Sequence, residues 1–285
     1  MKVTSRIADL KNHLKEAGIK PVGFVPTMGA LHEGHLSLVK YAIHECPVVA
    51  VSIFVNPTQF NDKNDLKNYP RNLKKDLDLL SGVLRKDDIV FTPEITEIYP
   101  VPDTRQFSFG NLDMVMEAVH RKGHFNGVAQ VVSRLFEIVE PDIAYFGIKD
   151  FQQVAVIKEL VRQTGNKVRI VSCPIVRESD GLAMSSRNML LEPEIRKKAP
   201  LIFRTLTSAS EMFRSADVPE IKEFVREKIN SETRFYVEYF EIADDMELFT
   251  LKTKKEMIPG RKYFGCIAVK AGNIRLIDNL EMETA

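Results

Sequence analysis

Apolar positions recur along this chain in two periods, and the alternation between them sets the expected architecture. Runs in which nearly every position is apolar or β-branched, at Val22–Val25, Val48–Val55, Ile89–Phe91, Ile143–Gly147 and Val168–Val176, read as strands buried on both faces. Between them lie stripes at helical spacing: Ile7, Leu10 and Leu14; Leu36, Leu38, Val39, Ala42 and Ile43; Leu73, Leu77 and Leu80; Val128, Val131, Val132, Leu135 and Phe136. Thr4 or Ser5 is placed to cap the first helix, and Gly18 to end it. Strands alternating with helices, with polar turns at the strands' carboxyl ends, predict an α/β fold with a doubly wound parallel sheet over residues 1–176. The stretch Pro93–Gly110 reads as irregular. From Glu192 the pattern changes to two helical stretches broken near Pro219, then strands at Phe235–Ile242, Tyr263–Val269 and Ile274–Ile277. That predicts a second, smaller α+β C-terminal domain over residues 177–285.

Composition narrows the function classes. A chain of 285 residues with 44% hydrophobic content can bury a full core. Lys+Arg 40 against Asp+Glu 39 leaves a net charge of +1, which removes the usual electrostatic case for nucleic acid or an anionic membrane as partner. Cys46, Cys173 and Cys266 are too few and too scattered for a disulfide framework or a Cys-x-x-Cys metal site, and are expected as reduced, buried thiols. With no signal-peptide pattern and no apolar run approaching the roughly 20 residues of a membrane span, a cytoplasmic protein is expected.

The candidate chemistry sits in the turns. Pro26 to His35 joins the second apolar run to a helical stripe, so Gly29 and Gly34 let backbone approach a ligand while a helix N-terminus favours an anion. His32 and His35, three apart, would share a helical face there. They can be read as solvated turn residues, as zinc ligands, or as the imidazoles of a His-x-Gly-His site for nucleotide phosphates. The zinc reading fits less well, because the helical zincin pattern has its histidines four apart. Asn56 and Gln59, in the turn after Val48–Val55, are site candidates or turn formers. Lys149, Asp150, Gln152 and Gln153 follow the Ile143–Gly147 strand; the lysine could neutralise phosphate and Gln153 could bond a small polar substrate. Ser185, Ser186 and Arg187 offer two hydroxyls beside a guanidinium, a set suited to a polyphosphate tail. Arg121 and Lys122, in the turn before Gly123-His124-Phe125, are basic and could equally be surface charge.

Seven of these stretches, in chain order, carry a resemblance. Pro26 to His35, Phe54 to Phe60, Tyr69-Pro70-Arg71, Gly123-His124-Phe125, Lys149 to Gln153, Asp180 to Asn188 and Arg275 to Asn279 resemble the pantoate–β-alanine ligase (pantothenate synthetase) family. The resemblance spans nearly the whole chain. It implies a Rossmann-like nucleotidyltransferase domain with a smaller C-terminal lid, usually as a homodimer. It also implies ATP-dependent condensation of pantoate with β-alanine through a pantoyl adenylate, with Mg²⁺ accompanying ATP, and release of AMP and pyrophosphate.

By the same resemblance, Met28, Gly29, Ala30, Leu31, His32, Glu33, Gly34 and His35 match the ATP loop, with His35 in the position described as a proton donor. Gly147, Ile148, Lys149, Asp150, Val176, Met184, Ser185, Ser186 and Arg187 match further ATP contacts. Gln59 and Gln153 match pantoate contacts, and Asn56 is grouped with them as a substrate residue. His32, His35, Lys149 and Arg187 are the expected catalytic set. The metal ligands do not transfer, since the ion is held mainly by ATP phosphates, and Asp76 is a weak candidate only. Two departures, Arg121-Lys122 for a usual arginine-proline and Ile148 for a usual polar residue, bear on loop shape. A tRNA-directed synthetase would share the histidine and Ser-Ser-Arg elements but needs an anticodon-reading region, for which a near-neutral C-terminal hundred or so residues is poorly suited. A non-catalytic nucleotide regulator would not need both Gln59 and Gln153.

Overall fold

Five of the six residues of β3 (Val48–Ile53) are fully covered, which a strand without a polar face requires. The computed structural model, which describes residues 1–284, places β3 inside a six-stranded parallel sheet. Its other members are β1 (Lys2–Thr4), β2 (Val22–Thr27), β4 (Ile89–Phe91), β5 (Ile143–Gly147) and β6 (Arg169–Cys173), in the order β1-β4-β3-β2-β5-β6. From β2 the chain builds outward through β3 and β4 on one side, then restarts on the other with β5 and β6. The order therefore reverses between β2 and β5, and open α/β sheets bind ligands outside the carboxyl ends at such a switch point. Helices fill in the cover, and one core cluster joins Val25, Leu36, Val39, Val49, Leu80 and Tyr145. Each fully buried aliphatic side chain of this kind contributes roughly 1.5–3 kcal/mol.

Local details differ from expectation for identifiable reasons. The edge strand β1 extends through Thr4, so the first helix starts later, at Ile7, with Arg6 as its cap residue. Thr4 still serves the junction, its Oγ1 accepting from Arg6 N–H at 3.2 Å, and Gly18 ends the helix in the left-handed region. Within Pro93–Gly110 a short helix forms at Ile95–Ile98.

The described chain divides into two compact units, the first comprising residues 1–109, 121–148 and 156–174, the second 110–120, 149–155 and 175 onward. The second is built on an antiparallel sheet of β7 (Phe235–Asp244), β8 (Tyr263–Ala271) and β9 (Ile274–Glu281), with β8 central. Three helices, Pro193–Lys198, Leu201–Met212 and Val218–Asn230, stand where two broken near Pro219 were expected. Pro219 lies in the first turn of its helix, where its missing N–H is tolerated, and so begins a helix instead of breaking one. Phe213, Val225, Ile229, Ile242, Tyr263, Ile267 and Val269 form that unit's core.

Cys46, Cys173 and Cys266 are free and buried, and burial raises all three thiols, Cys173 to about 11. Among the described residues no helix is long and apolar enough to cross a membrane.

Candidate active site

The first candidate turn leaves β2 at the switch point. Gly29 and Ala30 both take left-handed backbone, at φ 78° and 49°, and bend the chain toward the helix Glu33–Glu45. Gly29 has little alternative, because a Cβ there would stand 3.0 Å from Asp76 Oδ2 and 3.1 Å from Ile53 Cγ2. Asp76, on the helix Leu73–Ser81, accepts from Ala30 N–H at 2.9 Å and from Leu31 N–H at 2.7 Å, one bond to each carboxylate oxygen. His32 is the helix cap with extended backbone, not a member of the helical face, and its Nδ1 accepts from Gly34 N–H at 3.1 Å. That bond puts the proton of the neutral ring on Nε2. The His32 carbonyl accepts from the N–H groups of His35 and Leu36. Cap geometry still brings the His32 and His35 rings together, at 4.1 Å between centroids.

This corrects the expectation of open backbone amides. Ala30, Leu31, Gly34, His35 and Leu36 all spend their N–H groups inside the protein, so those five amides are not open to an anion, which would meet the imidazoles and the helix dipole. Glu33 lies in the first helical turn on the exposed side, with Lys40 at 3.5 Å. Asp76, the weak metal candidate, already has both oxygens engaged by the loop.

The second turn follows β3. Asn56 is buried, and its amide is fully used: Nδ2 donates to Gln59 Oε1 and to Gly127 O, both at 3.1 Å, while Oδ1 accepts from Thr58 and from Tyr99 Oη. What it does in this geometry is aim Gln59, whose Nε2 donates to Met28 Sδ at 3.1 Å and so ties this turn to the histidine loop. Beneath it runs the helix His124–Val139. A Cβ on Gly127 would lie 2.4 Å from Thr58 O, so only glycine permits this approach. His124, 4% exposed, bonds Gln59 O at 2.7 Å through Nδ1 and meets Arg121 Nη1 at 3.1 Å through Nε2. The Gly123-His124-Phe125 stretch thus supports the Gln59 turn from behind.

At the end of β5, Gly147 and Ile148 are half-buried, Ile148 N–H donating to Cys173 O at 2.9 Å, and the chain returns to the second unit at Lys149. Within that unit Lys149 Nζ stands 3.7 Å from Asp150 Oδ2, and its carbonyl accepts from Asn279 Nδ2 at 3.1 Å. The two neighbouring glutamines separate. Gln152 is buried and latches the segment before it, donating to Leu112 O and Val115 O and accepting from Glu117 N–H at 2.8–2.9 Å. Gln153 is half-buried. Lys149, Gln152, Glu117, Tyr239 and Asp278 line one small cavity.

The Ser-Ser-Arg turn belongs to the same unit. Val176 O accepts from Met184 N–H at 3.0 Å, closing a tight loop over Arg177–Ala183. Arg177 fixes that loop: its guanidinium donates to both Asp278 oxygens, at 2.6 and 3.0 Å, and stacks 3.8 Å from the Phe203 ring centroid. Burial pushes the Asp278 carboxyl up while Arg177 pulls it back. Ser185 Oγ accepts from Arg187 N–H, Ser186 is buried, and Asn188 donates to Ala183 O, leaving Met184 and Arg187 half-buried.

The family sequence model described as Pantoate-beta-alanine ligase matches residues 2–281. The chain belongs to that ligase family. It is an enzyme of pantothenate formation that joins pantoate to β-alanine. Curated relatives called pantothenate synthetase include one from Phocaeicola vulgatus, 51% identical over 99% of each chain, and one from Porphyromonas gingivalis, 49% identical over 99% of this chain and 100% of that one. Among solved structures, the pantothenate synthetase from Thermus thermophilus superposes with a TM-score of 0.89 at 41% identity, covering 99% of each chain. The pantoate-beta-alanine ligase from Francisella tularensis, complexed with beta-gamma ATP and beta-alanine, gives 0.78 at 32%, covering 100% of this chain and 99% of that one. Asp76, His124, Gly127, Gln152, Arg177 and Asp278 have supporting roles that motif reading did not assign them.

Proposed function

We propose that this ligase binds ATP and activates the pantoate carboxylate as an acyl adenylate, and that its site residues are those the motifs single out. His32, His35, Lys149, Ser185, Ser186 and Arg187 contact phosphate oxygens, with Met28–His35, Gly147–Asp150, Val176 and Met184–Arg187 as the nucleotide-contacting stretches. Gln59 and Gln153 bond pantoate, and Asn56 contributes by orienting Gln59. The carrying observation is the His32–His35 ring pair on a turn whose Ala30, Leu31 and Gly34 amides are already engaged. Such a turn offers side-chain donors directed by a cap and a helix. The Francisella relative's complex with beta-gamma ATP and beta-alanine supports the same substrates for this chain.

The pantoate carboxylate is ionised at neutral pH and needs no base to attack phosphorus. The protein's task is placement and charge stabilisation. Attack at the α-phosphorus forms the acyl–O–P bond and breaks the bond to pyrophosphate. The β-alanine amine, once deprotonated, then attacks the acyl carbon and expels AMP, leaving pantothenate. On this geometry His32 acts as a neutral Nε2–H donor, and phosphate stabilisation also accounts for His35 without a proton-donor role. Among the described residues no group of three His, Cys, Asp or Glu side chains is arranged to hold a metal, so Mg²⁺ would arrive on the ATP phosphates as part of the substrate, and no step is assigned to a resident ion. A homodimer in the cytoplasm completes the reading, on the family resemblance; light scattering tests the dimer.

Pantoate carrying heavy oxygen in its carboxylate should deliver label to AMP. Pyrophosphate should also exchange into ATP with pantoate present and β-alanine absent. Label in inorganic phosphate would overturn the adenylate route.

A further inference from the structure

We propose that Asp76 is a positioning residue for the ligase reaction: its carboxylate holds the 28–32 turn and thereby fixes where the His32 and His35 rings stand. The proposal rests on the reading that those imidazoles contact ATP phosphates. Asp76 is 2% exposed and lies on a helix anchored by Leu80, itself 0% exposed, and capped by Asn72, whose side chain accepts from Lys75 N–H. From this platform it spans 46 residues of sequence to Ala30 and 45 to Leu31, and each oxygen accepts one backbone N–H at 2.9 and 2.7 Å. Charge-assisted bonds of that length are the strong kind.

The turn needs such a hold. Ala30 carries a Cβ at φ 49°, a conformation that persists only where surroundings over-determine it. The Asp76 bonds engage this residue and the next, immediately before the His32 cap. Only a carboxylate suits both amides, since asparagine would turn an NH₂ group toward one of them. The two N–H bonds use two of the carboxylate's roughly four lone-pair sites, so the Mg²⁺ arm of the test is what separates a loop role from a metal role.

The test is Asp76→Asn in the full chain, assayed for pantothenate formation with ATP, pantoate, β-alanine and Mg²⁺ each varied, alone and combined with His35→Ala. A displaced turn should lower kcat about 10- to 100-fold. The KM for pantoate and the half-saturating Mg²⁺ should stay unchanged, and Asp76→Asn should cost much less when His35 is already alanine. Wild-type kcat for Asp76→Asn beside an impaired His35→Ala overturns the proposal alone. So does an equal fold-loss in both backgrounds, or a raised Mg²⁺ requirement with rescue at high Mg²⁺, which would mark a metal ligand. Wild-type kcat for His35→Ala overturns the phosphate reading and this proposal with it. If Asp76→Asn does not fold, Gly29→Ala, whose Cβ would press on Asp76 Oδ2, puts the same coupling to His35 to the test.

Discussion

The turn at 28–35 and the turn at 184–188 are both candidates for phosphate, yet they are built from different materials. In the first, an acid and a cap engage the Ala30, Leu31 and Gly34 amides beside two paired imidazoles. In the second, Ser185 and Asn188 shape a short 3₁₀ turn, an arginine–aspartate pair behind it fixes its base, and Arg187 brings a permanent charge. One turn presents two paired imidazoles held by an anion; the other presents a guanidinium on a turn held by an arginine–aspartate pair. A carboxylate behind the first turn also lowers its pull on stray anions, so affinity there depends on correct placement more than on net charge. The lesson is that two candidate anion turns in one chain can be built differently, one around orientation and one around charge.

The largest effect should come from removing charge. Lys149→Ala and Arg187→Ala should each lose about 2–4 kcal/mol of transition-state stabilisation, a factor of roughly 10²–10³ in turnover at saturating ATP, with circular dichroism and melting unchanged. Near-native turnover in either variant would dissolve the contrast between the turns. Next, Gln153→Ala and Gln59→Ala should weaken pantoate by about 1.5–3 kcal/mol and ATP far less, as read by separate calorimetric titrations. Equal losses for both ligands would mean a collapsed turn. Gln152→Ala is the sharpening control, expected to leave pantoate affinity near wild type and instead lower stability, because it strips Leu112 O, Val115 O and Glu117 N–H of their partner.

Gly127→Ala forces a methyl against Thr58 O and should destabilise by about 1–3 kcal/mol in denaturant titration, with pantoate affinity falling alongside. The smallest effect is a pH dependence. Burial raises Tyr99 from 10.0 to about 12, and its hydroxyl donates to Asn56. A raised folded-state value favours the protonated form, so this stabilisation is complete below about pH 10 and is lost as pH climbs through 10 to 12. Tyr99→Phe should flatten that alkaline limb; an unchanged limb would assign it to other groups.

Much of this arrangement was legible in sequence because it follows from periodicity. Continuous apolar runs gave β2 to β6, and the turns after β2 and β3, with Gly147 and Ile148 at the end of β5, lie at one end of the sheet. What stayed hidden was support. β1 is three residues of Lys-Val-Thr, too short for any pattern, and its pairing with β4 moved the first helix cap. Asp76 did leave a trace: it falls three residues after Leu73 and four before Leu80, on the helix's apolar side, where a charge must find partners. Gly127 left another, as a glycine inside a helical stripe. Neither trace names the partner, because a backbone amide 45 residues away has no sequence signature. Gln152 and Gln153 show the same limit, since a helix turns one of two adjacent identical residues inward and leaves the other half-buried.

The three sheltered sulfurs have a practical consequence. With thiols buried and their ionisation suppressed, alkylating reagents find no reactive thiolate in the folded enzyme. Each is then a reporter of its own neighbourhood: Cys46 at the end of the helix after the histidine turn, Cys173 at the end of β6, Cys266 in the middle strand of the second sheet. Labelling followed by peptide mass mapping would time how often each region breathes open, with no probe to engineer and no substitution near the chemistry.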